Sequence, residues 1–293
     1  MTRLHTEVRG RGPALVLLHG WGLNVRVWDG LAAALSDRFR IVAIDLPGHG
    51  RSAWLPQRSS LAEQAAQVHE TIAGVTAKCS LLGWSFGGQI ALQLAAAQHA
   101  ADARGNPLAA TADRLVLIAT TPRFAAAADW PHGAPPERLA AQAAGLRTDY
   151  RRTVSDFLEL QVRGSAGGAE ALDRLRAALF AHGLPAATAT ADGESQTDMH
   201  ERASVAGLNL AALARDLELL RDTDLRPQIA GITLPALVIA GQYDRVTMPA
   251  ASHALAQALP NARYAEIRRA AHAPFLSHLQ QLTELLCDFL LPP

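Results

Sequence analysis

Cysteine is scarce in this sequence: 293 residues contain two, Cys79 and Cys287. Two isolated thiols without metal-ligand spacing exclude a disulfide framework and fit a reducing compartment. Charge of one sign is also missing, since 27 Lys+Arg face 27 Asp+Glu. The total therefore lacks the basic excess typical of nucleic-acid and membrane-surface proteins. No apolar run approaches the roughly 20 residues of a spanning helix. The start, Met1-Thr-Arg-Leu-His-Thr-Glu7, has no apolar core of a signal peptide. The expectation is a cytoplasmic monomer with neither membrane nor nucleic acid as partner. What the chain does have is 49% hydrophobic and 18% charged residues, a globular balance that excludes wholesale disorder. Its length suits one large α/β domain or two smaller units.

Short apolar runs alternate with longer helical patterns. Buried strands are expected at Ala14–Leu18, Phe39–Asp45, Cys79–Gly83 and Leu115–Ala119. Helical patterns lie between them, at Val27–Leu35, from Ser60 to about Ile72, and from Phe86 through Ala95. Ser60-Leu-Ala-Glu63 fits a capping box. Strands continuous in Val, Ile and Leu are buried on both faces, so the fold class is α/β with a mostly parallel sheet flanked by helices. From Pro122 to about Asp224 the pattern is helical, without a convincing strand. The rhythm resumes with a strand at Ala236–Ala240, a helix at Pro249–Leu259, a strand at Arg263–Ile267 and a helix at Leu279–Leu290. The expected organisation is a core domain over 1–121 and 225–293, interrupted by a helical lid over 122–224. Segments 98–113 and 185–206 read as surface excursions.

Gly83-Trp84-Ser85-Phe86-Gly87 matches G-x-S-x-G between a strand and a helix. Glycines on both sides let the backbone turn tightly and hold the Ser85 hydroxyl above the sheet. Such a hydroxyl needs a base, and the base needs an orienting acid. Among 11 histidines, His272 stands out because it lies in the loop between the last strand and the last helix. His69 and His253 fall on helices, His99 and His182 near helix ends. Asp244 follows a strand, and Ser85, Asp244, His272 run in the order expected for this triad. Asp45 also follows a strand but precedes the serine. The oxyanion hole is expected from the backbone amides of Trp21 and Phe86, with the Trp21 indole walling an acyl pocket and His19 bracing the loop. Hydrolysis by this route calls for no metal and no organic cofactor.

These residues resemble the α/β-hydrolase superfamily over nearly the whole chain. The likeness narrows with Leu17-Leu-His-Gly-Trp-Gly-Leu-Asn24, Asp45-Leu-Pro-Gly-His-Gly-Arg-Ser52, Gly83-Trp-Ser-Phe-Gly-Gly88, Trp130-Pro131, Arg152-Thr-Val154 with Phe157-Leu158 and Gln161, and Ala270-Ala-His-Ala-Pro-Phe275. Together they are similar to the pimeloyl-acyl-carrier-protein methyl ester esterases of biotin biosynthesis. The resemblance implies a serine carboxylesterase whose partner is the acyl carrier protein bearing the substrate. It implies a substrate site of Trp21, Ser85, Phe86, Phe157, Leu158, Glu159, Leu160, Gln161 and His272. It also implies a carrier contact at Arg152. Four residues further on, where such esterases carry another arginine, this chain has Asp156; Arg147, Arg151, Arg163, Arg174 and Arg176 are the remaining sources of charge. A broader carboxylesterase or lactonase would use the same triad, and a non-catalytic ligand-binding relative would keep the pocket. A serine nucleophile argues against dehalogenases and epoxide hydrolases of this fold.

Overall fold

The computed structural model describes residues 3–180 and 209–291. Its frame is a seven-stranded sheet in the order β1-β3-β2-β4-β5-β6-β7. The strands are β1 (Thr6–Arg9), β2 (Ala14–Leu18), β3 (Arg40–Ile44), β4 (Lys78–Trp84), β5 (Thr111–Ile118), β6 (Ala236–Gly241) and β7 (Ala262–Ile267). All pairs are parallel except β1 with β3, in which Thr6 faces Ile44. The central runs have no room for polar side chains: Leu15, Val16, Leu17 and Leu18 are fully buried, as are Leu115 through Ile118. Burial of such side chains stabilises the fold by roughly 1.5–3 kcal/mol each.

The flanking helices are α1 (Asp29–Leu35), α2 (Leu61–Ala73), α3 (Phe86–Ala103), α4 (Pro136–Thr148), α5 (Tyr150–Val162), α6 (Gly168–Phe180), α7 (Leu210–Asp222), α8 (Pro249–Ala258) and α9 (Leu279–Leu290). Helix α3 packs along β4 and β5 and against α2, α8 along β6 and β7, and α1 against α9. The capping box opens α2 as expected, with Ser60 Oγ accepting Glu63 N–H and Glu63 reaching back to Ser60 N–H. Between β5 and β6 the described residues form the helices α4 to α7 and no named strand.

Three readings of the sequence change. Val25–Trp28 forms a 3-10 turn before α1. Helix α3 continues to Ala103 and β5 starts at Thr111, so most of segment 98–113 is regular structure. Strand β1 was not foreseen. The segment 185–206 and His182 lie outside the described residues. Among the described residues no helix is long and apolar enough to cross a membrane.

Candidate active site

In parallel α/β sheets ligands bind beyond the carboxyl ends of the strands. Every residue singled out for chemistry follows such an end: Trp21 after β2, Ser85 after β4, Asp244 after β6 and His272 after β7.

Ser85 sits at the strand-to-helix turn with φ 55° and ψ −118°, a conformation L-residues avoid. The surroundings hold it there. Ser85 N–H donates to Ile118 O at 3.0 Å, and Ser85 O accepts from Thr120 Oγ1 at 2.7 Å and Gly88 N–H at 2.9 Å. The flanking glycines are needed for space: a Cβ on Gly83 would strike the backbone of Gly87, and one on Gly87 the carbonyl of Leu18. Phe86 N–H opens α3 and so has no intrahelical acceptor. The loop after β2 passes close by, with a Cβ on Gly20 lying 3.4 Å from Ser85 Cβ.

His272 and Asp244 meet as expected. Nδ1–H of His272 donates to Asp244 Oδ2 at 2.8 Å, both groups fully screened from solvent. Asp244 Oδ1 accepts the amides of Val246 and Thr247 at 2.8 and 2.9 Å, which fixes the carboxylate. The His272 loop is anchored by its own N–H on Gln161 O (2.9 Å) and by Trp84 Nε1–H on His272 O (2.8 Å). Because Nδ1 carries the proton, Nε2 is left with a lone pair, and it has no hydrogen-bond partner among the described residues. No hydrogen bond joins it to Ser85 here; such bonds are often long before substrate arrives.

Asp45, the other acid after a strand, is committed elsewhere. Its Oδ1 accepts Val25 N–H and its Oδ2 accepts Arg51 N–H. His19 braces the neighbouring loop: Nδ1–H donates to Gly20 O at 2.8 Å and Nε2 accepts Leu46 N–H at 3.0 Å. Burial pulls its pKa down to about 4. His69 is bonded to Ala110, and His253 lies edge-on to Tyr264.

A cavity of about 270 Å³ opens at Ser85. Trp21, Phe157, Leu160, Leu217 and Leu220 give it apolar walls. Trp21 is fixed by its Nε1–H on Leu213 O (2.9 Å) and lies edge-on to Phe157 at 5.0 Å. The run 157–161 does not line the cavity as a block. Residues 153, 156, 157 and 160 do, which is the i, i+3, i+4, i+7 stripe of one helix face. Leu158 is buried in the core, Glu159 turns outward to Arg176 (3.2 Å), and Gln161 serves the His272 loop through its backbone. Sequence reading missed Leu217 and Leu220 as lining residues. Their i, i+3 spacing on an amphipathic helix was visible, but not which interior it faced. It also missed Arg138 and Gln142, which give the wall polar groups.

Arg152 is exposed, with Nε 3.7 Å from Asp156, an ordinary i, i+4 surface pair. Arg174 reaches Leu276 O and Arg176 pairs with Glu159, so neither is an uncommitted cation.

The alpha/beta hydrolase fold family matches residues 13–279. The chain is 36% identical over 282 residues to a pimeloyl-acyl-carrier-protein methyl ester esterase of Nitrosomonas europaea, covering 96% of this chain and 97% of that protein. It is 38% identical over 286 residues to the protein of the same name from Xanthomonas campestris pv. campestris, covering 98% of each. Among solved structures, a hydrolase from Pseudomonas aeruginosa is similar with TM-score 0.72 and 26% identity over 98% of this chain and 94% of that one. An esterase from Exiguobacterium antarcticum shares the fold, with TM-score 0.76 at 20% identity, over 98% of this chain and 94% of that one. The chain thus belongs to the alpha/beta hydrolase fold family, in the branch of its pimeloyl-acyl-carrier-protein methyl ester esterase relatives.

Proposed function

We propose that this protein is a serine carboxylesterase that hydrolyses the methyl ester of a pimeloyl chain carried on acyl carrier protein, the activity its relatives are named for. The buried His272–Asp244 pair carries the reading, because its unoccupied Nε2 lone pair lies at the strand edge that also bears the strained Ser85. Ser85 Oγ attacks the ester carbonyl while His272 Nε2 takes its proton. Asp244 stabilises the imidazolium, and the amides of Trp21 and Phe86 stabilise the oxyanion. The imidazolium protonates the departing methoxide, and methanol leaves. Water, deprotonated by His272, then attacks the acyl-enzyme; the carboxylic acid departs and Ser85 regains its proton. The described helices α4 to α7, inserted between β5 and β6, act as a cap over the sheet core, and α5 and α7 supply the apolar wall. Each methylene buried there contributes roughly 0.8 kcal/mol.

Ser85→Ala is expected to lower turnover at least about 10³-fold while leaving thermal unfolding unchanged. Near-normal turnover would remove Ser85 from the mechanism. Carrier dependence is tested by comparing pimeloyl methyl ester on acyl carrier protein with free dimethyl pimelate at low and high salt. A preference for the carrier form that shrinks as salt screens arginine contacts is expected. Equal rates on both at every salt concentration favour a generalist esterase.

A further inference from the structure

A second buried polar cluster lies beneath the loop after β2. His49, after β3, is fully buried, donates from Nδ1 to Pro47 O at 3.1 Å and accepts Gly22 N–H on Nε2 at 3.1 Å. Those two bonds fix its neutral tautomer. Asp216, fully buried on α7, places Oδ2 3.8 Å from the same Nε2, and its Oδ1 accepts Gln64 Nε2–H at 2.6 Å. Asp216 Oδ2 has no hydrogen bond among the described residues. The other charged or titratable groups bearing on the pair are His19, with its ring 5.3 Å from His49, Asp45 and Arg215. Burial outweighs the Gln64 bond and Arg215 and pushes the Asp216 carboxyl well above its usual range, so it favours the protonated acid.

The same helix reaches both the catalytic loops and the cavity. Leu213 O takes the Trp21 indole N–H, and Leu217 and Leu220 line the cavity. The loop of His49 lies hard against α7: a Cβ on Gly48 would collide with Ala212 Cβ. Gly22, at φ 72°, directly follows Trp21, so fixing its amide fixes the peptide plane next to the oxyanion donor.

We propose that His49 and Asp216 are positioning residues of the oxyanion hole: His49 holds the Gly22 amide, and Asp216, bonded to Gln64 and 3.8 Å from His49 Nε2, seats the helix that walls the acyl cavity against the His49 loop. Neither touches substrate. The assignment rests on the hydrolase reading above and adds that α7 must be seated for the Trp21 amide to point correctly. Small misalignments of such donors are costly, because their value depends on preorganisation.

His49→Phe removes the acceptor while keeping ring bulk, and Asp216→Leu removes the acid at similar volume. With p-nitrophenyl butyrate, each is expected to lower kcat about tenfold or more with KM within about twofold. The Ki of a trifluoromethyl ketone, whose serine adduct carries an oxyanion, should weaken by a matching factor. Asp216→Asn, which keeps a donor and an acceptor, should return kcat to within about twofold of wild type. Hydrogen exchange of the Gly22 amide, followed by NMR, should be slow in wild type and fast in His49→Phe. Unchanged kcat and Ki in folded His49→Phe, a loss confined to KM, or equal Gly22 protection would overturn the assignment. If His49→Phe does not fold, the contrast of Asp216→Leu with Asp216→Asn decides: equal kcat in the two rejects the role. A wild type without ester turnover would instead overturn the hydrolase reading, and Gly22 exchange would still decide this one.

Discussion

At the scale of single residues, the site depends on which oxygen of Asp244 faces which donor. Oδ1 accepts two backbone amides and Oδ2 accepts the His272 Nδ1 proton. In Asp244→Asn the amides would keep the carbonyl oxygen on their side and turn the NH₂ toward His272. Nδ1 must then accept, so the proton moves to Nε2, the atom that has to take the Ser85 proton. Turnover is expected to fall about 10⁴-fold through this tautomer reversal, with the fold retained because shape and the amide contacts are preserved. Single-turnover kinetics alongside thermal unfolding would check it. A loss under tenfold would mean that His272 does not depend on Asp244 for its tautomer.

At the scale of elements, legibility followed how much of the pattern each segment carries in its own residues. The strand leading to Ser85 was readable because Cys79-Ser-Leu-Leu-Gly83 is apolar and ends in the glycine that the turn requires. Helix α2 was readable from its capping box and α9 from its periodicity. Strand β1 was not: Thr6-Glu-Val-Arg9 is largely polar, Val8 is exposed, and only the pairing with β3 makes it a strand. Helix α3 outran its expected end because alanines sustain a helix that composition alone reads as loose; Gly105, at φ 68°, follows its last turn. On α5 the motif gave the right helix but not its facing. Five consecutive residues cannot share one wall, and the structure selects Phe157 and Leu160. Asp216 was invisible for the same reason, since a single acid on an amphipathic helix looks like a solvated face until the opposing loop is known.

At the scale of the whole molecule, these buried polar groups set how stability answers to pH. Burial lowers His19 to about 4, and burial with the neighbouring His19 lowers His49 to about 3. In the unfolded chain both titrate near 6.5. Above that value both states are neutral and the pair imposes no pH dependence. Below it the unfolded chain gains protons that the folded chain refuses, so stability falls as pH drops from 6.5 toward about 4 for His19 and about 3 for His49. The full effect is on the order of 3–5 kcal/mol for each. Asp216 has the opposite sign. Its raised pKa adds stability below the unfolded value near 3.8, and this is lost as pH rises through the folded value. Surface acids such as Asp224, held at about 2 by Arg226 and Arg123, respond mainly below 3.8, so between pH 6.5 and 5 the histidines are isolated once the opposing Asp216 is removed in Asp216→Asn. Urea unfolding of Asp216→Asn across that interval should show a midpoint that declines steadily with acidity. A flat midpoint would mean that the imidazoles take up protons inside the folded protein. Asp216→Asn should match wild type below pH 3.8 and become the more stable protein as pH rises, because it lacks the acid whose ionisation the fold resists. An advantage for the variant that is constant with pH would place the Asp216 proton elsewhere.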